Sequence, residues 1–229
     1  MKLSRFFRLQ ATLDQHIKKR KGLEDKDLLL DKIQALQVEL GELANEWRGF
    51  KFWSNKQTPE VEQEECDYCG EYVDHTRPSP FMGDSASMCK PCWDMTKETY
   101  ASSTGEHIPE FEDYPHFRKK VANKLLEEYV DCLHFFLSIG NDLNINENMI
   151  FNKSGIPNAR TLFALINRYV AEMWWVYHDK KSSDAAVKWF HAFEHYLQLG
   201  EVLGFAWEEV EEAYLKKNEI NHERQESGY

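Results

Sequence analysis

Residues 36–47 read LQVELGELANEW and residues 125–137 read LLEEYVDCLHFFL. What covers these two stretches decides the fold. At about 100° per residue on a helix, Leu36, Leu40, Leu43, Ala44 and Trp47 fall in one arc, and Glu39, Glu42 and Glu46 fall together on its flank. Spacings of three and four residues make these glutamates neighbours, and like charges so placed repel. In the second stretch Leu125, Leu126, Tyr129, Val130, Cys132, Leu133, Phe136 and Leu137 cover a wide arc, with Glu128 and Asp131 off it and Phe135 between them. A helix apolar nearly all round is a buried helix, and carboxylates on it need partners. The acidic flanks are either solvated edges or a cation site. Two helices each offering two carboxylates make a hard-oxygen site suited to magnesium or manganese. Such an ion can bridge phosphate oxygens and activate water.

Outward from these stretches, helical spacing predicts helices over about 3–20, 27–50, 117–140, 158–178, 184–200 and 206–225, with Ser182, Ser183 and Asp184 as candidates for the cap of the fifth. Residues 66–92 break the pattern with cysteine, glycine and proline, and 93–117 are mixed. The expected architecture is all-α: a helical bundle over 1–55 and 113–229, interrupted by a small insertion over 56–112. The insertion carries Cys66-x-x-Cys69 and Cys89-x-x-Cys92, two metal-binding knuckles nineteen residues apart. Four thiolates make a closed tetrahedral zinc site with no position left for water. This predicts a structural zinc ribbon without catalysis, dependent on its metal because so small a loop has little core.

The chain has 229 residues, 42% hydrophobic and 14% aromatic, with a net charge of −11. That is ample for a core. It argues against nucleic acid and anionic membrane as partners, which need clustered lysine and arginine. No apolar run approaches the roughly 20 residues that span a bilayer, and the N-terminus lacks a signal-peptide core. The expectation is a soluble, cytoplasmic protein, whose paired cysteines in a reducing compartment bind metal.

VELGELANE (38–46) followed by LLEEYVDCLHFFLS (125–138) resembles the ExxE and ExxD pattern of the all-α nucleotide pyrophosphohydrolases, the superfamily of MazG proteins and dimeric dUTPases. The dimeric dUTPase branch is the closer match. It is similar in Phe50-Lys51-Phe52-Trp53-Ser54 and in the ending KKNEINHERQESGY (216–229). The resemblance covers about 3–54 and 117–229. The family joins its two carboxylate helices by a shorter segment than this chain does.

The resemblance implies a MazG-like bundle acting as a homodimer on a small deoxynucleotide. It implies hydrolysis of dUTP, and of dUDP, to dUMP, with pyrophosphate released from dUTP by attack at the β-phosphorus. Two or more magnesium ions would be held by Glu39, Glu42, Glu128 and Asp131, and one of these glutamates or Glu46 would accept the proton of water. Substrate contacts would come from Gln10 to the base, with Asp14 a further candidate, and from Lys51, Trp53 and Tyr229. Lys217 and Arg224 would hold phosphates, and Asn221 the nucleoside. From the residues alone, Lys217, Asn221 and Arg224 equally describe a solvated helix face, and Phe52 and Trp53 equally describe packing at a helix end. His134 is either a group supporting the carboxylates or a hydrogen-bonded core histidine. Cys132 is packing. Two other functions stay open: a related pyrophosphohydrolase for another triphosphate such as dCTP, and a zinc-ribbon interaction protein without activity.

Overall fold

A computed structural model describes residues 3–59, 63–73, 76–114, 123–147, 149–151, 155 and 158–228, and of Asp84 only the backbone. The chain divides into two compact units, Met1–Pro59 with Lys124–Tyr229, and Glu60–Asn123.

The first unit is all-α. Its helices are α1 (Leu3–Lys21), α2 (Leu29–Trp47), α4 (Lys124–Asp142), α5 (Ala159–His178), α6 (Ser182–Val202) and α7 (Trp207–Glu226). Helix α4 is central and packs against α1, α2, α6 and α7, while α5 and α6 form an antiparallel hairpin with α5 against α2. The stripe Leu29, Ile33, Leu36, Leu40 and Leu43 of α2 is fully buried, as are Cys132, Leu133, Phe136 and Leu137 of α4.

Two glycines set how closely α4 is approached. A Cβ on Gly140 would lie 2.7 Å from the Phe7 ring and 2.9 Å from the Trp189 ring, and one on Gly200 would lie 2.4 Å from the Tyr129 hydroxyl. Through that gap Tyr129 and Tyr196 stack at 4.3 Å. Each donates its hydroxyl to the other's main-chain carbonyl, which satisfies two buried polar groups inside an aromatic core.

The helix ends differ from the sequence expectation in three places. Helix α2 stops at Trp47, because Arg48 turns into the left-handed region at φ 63°. The start expected at 117 falls partly outside the described residues, and the described α4 begins at Lys124. Ser182, Ser183 and Asp184 are not the cap of α6. Asp179 to Lys181 are used to close α5, with Lys180 at φ 61° and the Lys181 amide bonded to the Val176 carbonyl. This leaves Lys181 at the cap position with no side-chain hydrogen bond, a helix closure of the left-handed type.

The second unit holds two two-stranded antiparallel ribbons, β1 (Glu64–Glu65) with β2 (Tyr72–Val73) and β3 (Arg77–Ser79) with β4 (Gly83–Met88), followed by helix α3 (Lys90–Thr104). Helix α3 lies where the sequence reads as mixed. It begins directly at the second knuckle, with Cys89 at its cap and Pro91 in its first turn, and buries only Trp93. Met88, Trp93 and Phe111 form a small core flanked by Ile108 and Tyr114, and the Trp93 indole donates to the Pro109 carbonyl at 3.0 Å.

Candidate functional site

The helical spacing of α2 and α4 turns their acidic flanks toward each other. Glu39, Glu42 and Glu128 each bring a carboxylate oxygen to within 4.8 Å of the other two. Asp131 stands beside them but has its own partner. Lys217 of α7 donates to its Oδ2 at 2.6 Å, and the two side chains are 24% and 19% exposed. Glu46 is half-buried and outside the group of three.

The electrostatics follow from this crowding. Burial pushes the Glu39 carboxyl up to about 7, with Asp131 and Glu42 adding to the rise and Lys217 opposing it. Burial likewise pushes Glu128 up to about 7, helped by Asp131, Glu42 and Glu39 and again opposed by Lys217. One lysine among four carboxylates leaves the centre under-neutralised, and desolvation magnifies each repulsion.

This centre opens on a cavity of about 460 Å³ whose lining includes Glu39, Asp131, Lys217, Asn221, Arg224 and Gln10. Five residues expected from sequence to touch metal or substrate on three different helices, and Gln10 on a fourth position of the bundle, thus share one space. Helix α7 buries Val210, Tyr214 and Asn218, and the face beside that stripe carries Lys217, Asn221 and Arg224 to the cavity. Phe135, the apolar residue in the acidic sector of α4, also lines it. Lys18 and Lys32 add two further cations.

The inner wall is a hydrogen-bonded chain. Gln10 donates its amide to Asp14 at 2.8 Å, and its carbonyl oxygen meets His134 Nδ1 at 2.7 Å and the Tyr214 hydroxyl at 3.0 Å. Asp14 also accepts from Ser138 at 2.6 Å, and Lys32 lies 3.4 Å from it and 2.5 Å from Asp142. His134 is buried, and burial pushes its imidazole down to about 3, with Lys217 acting in the same direction. Of the two readings the sequence left open for His134, the structure has a buried, hydrogen-bonded ring at the wall of the cavity. The parts played here by Ser138, Lys32 and Tyr214 were not read from sequence. Ser138 lies one turn past His134 on the same helix, which is the one local signal that could have found it.

Lys51 and Trp53 do not line this cavity. They sit in the turn after α2, where Arg160 of α5 grips the Gly49 carbonyl at 2.6 Å. Trp53 is 66% exposed and Phe52 is 82% exposed, far more than packing at a helix end would leave. Tyr229 lies outside the described residues. In the second unit, sulfur atoms of Cys66, Cys69, Cys89 and Cys92 all fall within 4.8 Å of one another, with Cys69 and Cys89 3.8 Å apart. Zinc–sulfur bonds of about 2.3 Å at tetrahedral angles place sulfurs about 3.8 Å apart. All four are free thiols, and the Cys89 amide donates to the Cys66 sulfur at 3.3 Å.

Fold and site together define an all-α protein with an oxygen-donor acidic centre at the mouth of a cation-edged cavity. The chain belongs to the dUTPase family, whose model matches residues 2–76 and 99–229. That family is one of hydrolases acting on nucleotides. The unmatched residues 77–98 hold β3, β4 and the first part of α3, with Cys89 and Cys92. A search of curated proteins found no match, and a search of solved structures found none. Among the described residues no helix is long and apolar enough to cross a membrane.

Proposed function

We propose that the protein is a magnesium-dependent dUTP diphosphatase, converting dUTP and dUDP to dUMP and releasing pyrophosphate from dUTP. The observation that carries this reading is the meeting of Glu39, Glu42 and Glu128 beside the Asp131–Lys217 pair, with Glu39, Asp131 and Lys217 lining one cavity. The donor set fits the cation. It is oxygen-only, and two of its carboxyls are driven to about 7 by burial and mutual repulsion, a strain that a hard divalent ion relieves. Glu39, Glu42, Glu128 and Asp131 would hold it.

Bound there, magnesium would supply charge neutralisation at the triphosphate oxygens and acidify the attacking water. The chain supplies the rest. Lys217 is within reach of both the centre and the cavity, and with Arg224 it orients phosphate oxygens and stabilises charge moving to the leaving group. One of Glu39, Glu42 and Glu128, ionised once the metal is bound, would accept the proton of water. Glu46 stands outside the group and is the weaker choice. The inner wall of Gln10, Asp14, His134 and Ser138 faces the base, and Asn221, on the same cavity, contacts the nucleoside. Lys51 and Trp53 would act on a ligand that extends beyond the cavity, or in the homodimer we also propose. The four cysteines hold a structural zinc ion, consistent with a reducing, cytoplasmic setting.

The test is turnover of the purified chain with magnesium against the deoxynucleoside triphosphates, following pyrophosphate and monophosphate. Preferential release of dUMP is the expected result. Equal turnover of dUTP and dCTP would remove the uracil assignment, and no turnover of any triphosphate would remove the enzyme.

A further inference from the structure

We infer that His134 is the base-selecting residue of the cavity: it presents an unprotonated Nε2 to the ring N–H of a pyrimidine-2,4-dione, and Asp14 holds it in that tautomer through Gln10. The inference rests on the nucleotide reading above and deepens it.

The argument starts at Asp14. Its carboxylate is met by Gln10 Nε2 at 2.8 Å, Ser138 Oγ at 2.6 Å and Lys32 Nζ at 3.4 Å. Surrounded by donors, it accepts. The Gln10 amide must therefore turn its NH2 toward Asp14 and its oxygen the other way, which settles an orientation that amide geometry alone leaves open. That oxygen can only accept. It lies 2.7 Å from His134 Nδ1 and 3.0 Å from the Tyr214 hydroxyl, so Nδ1 carries the proton. Burial keeps the ring neutral, its basicity pushed down to about 3. A neutral imidazole protonated on Nδ1 has a bare lone pair on Nε2.

That lone pair is an unspent group of the wall, and among the described residues lining the cavity it shares this state with the Gln225 side-chain oxygen. Nε2 is buried and has no hydrogen-bond partner among the described residues. The residue is 6% exposed and lines the cavity. The ring is held in place, stacked on Tyr214 at 4.2 Å and 17°. A buried acceptor left without a donor is costly, and a ligand N–H arriving there would remove the cost. The N3–H of uracil is such a donor. Cytosine offers a lone pair at the same ring position, so two acceptors would face each other and neither would be satisfied. Gln10, expected from sequence to read the base, has its oxygen and one N–H engaged within the wall, and its role becomes that of a relay.

The test uses the full-length chain with magnesium. Values of kcat/KM for dUTP and dCTP are compared for wild type, Asp14→Asn and His134→Gln. Wild type should prefer dUTP, and each variant should shrink that preference by about tenfold or more, chiefly through KM. To keep the outcome independent of any variant's folding, the deciding measurement is made on wild type: long-range proton–nitrogen spectra of protein labelled at histidine, free and titrated with dUMP or dCMP. The expected result is a neutral Nδ1–H ring whose Nε2 resonance moves with dUMP and not with dCMP. An Nε2–H ring, or an Nε2 resonance unmoved by saturating dUMP, would overturn the proposal even if dUTP is hydrolysed. If no triphosphate is turned over, the enzyme reading fails, and the free-protein tautomer and the dUMP titration still decide this one.

Discussion

The Lys217 ammonium sits 2.6 Å from Asp131 Oδ2, joining the last helix to the acidic face of the central one. It holds down the carboxyls of Glu39 and Glu128 that burial and repulsion push up. One cation thus offsets part of the charge of the centre, ties α7 to α4, and lines the cavity.

Replacing Lys217 with Met should therefore act twice. The metal-free protein should lose about 1.5–3 kcal/mol, the range for a hydrogen bond to a charged partner. Denaturant melts without magnesium measure this. Turnover of dUTP should fall by at least about tenfold, because a charge near the transferring phosphoryl group is lost. A stable variant with full turnover would mean that Lys217 is only a surface tie.

Glu39→Gln, Glu42→Gln and Glu128→Gln should each lower turnover by about a hundredfold or more. The same changes should leave the metal-free protein as stable as before at pH 8, or more stable, since each removes a repelling charge. Loss of activity with a matching loss of folding would point instead to a structural role. Asp131→Asn should differ from these three, because it strands Lys217 and so should destabilise.

The carboxylate centre was legible because helical spacing is local: Glu39 with Glu42 and Glu128 with Asp131 are each three residues apart. Even the cavity left a trace, in Phe135 placed within the acidic sector of α4. The partner of Asp131 was not legible, since Lys217 lies 86 residues away in the chain and only packing of α7 on α4 brings it there. Helix α3 was missed because KPCWDMTKETYASST carries no repeating apolar stripe and buries only Trp93. Its start is set by the knuckle, not by periodicity. Helix ends at Gly22 and Gly204 could be read from glycine, but Asn144 and Lys180 also take the left-handed turn, and nothing in a lysine announces it.

The four cysteines should bind one zinc per chain, measured by elemental analysis of protein purified without chelator. Cys89→Ser should release it and loosen the small core of Met88, Trp93 and Phe111, seen as a red shift of tryptophan emission. Magnesium-dependent turnover should persist, because the acidic centre is built wholly from the other unit. Zinc absent from the wild type would count heavily against the metal site.

Gly200→Ala tests the packing of the central helix. The added methyl would lie 2.4 Å from the Tyr129 hydroxyl, forcing that ring from its stack with Tyr196 and its bond to the Tyr196 carbonyl. A cost of about 1–3 kcal/mol is expected for such overpacking. A neutral result in thermal melts would mean that α6 can shift away from α4 freely.

Opposed titrations should shape the pH profile of the metal-free protein. Glu39 and Glu128 have carboxyls near 7 when folded against an ordinary 4.5. Between those values the folded chain holds more protons than the unfolded one, so their contribution is whole below pH 4.5 and is lost as pH rises through 7. His134 runs the other way. Its folded value is about 3 against 6.5, so its contribution is whole above pH 6.5 and is lost as pH falls toward 3. The thermal midpoint should therefore decline on both sides of a mildly acidic optimum. Saturating magnesium should abolish the alkaline decline, because the ion takes the place of the protons, and should leave the acid decline in place. Melts from pH 3 to 8.5 with and without magnesium measure both arms. The stabilisation by magnesium should be larger at pH 8 than at pH 6, and an equal shift at the two values would mean that the ion does not bind at Glu39 and Glu128.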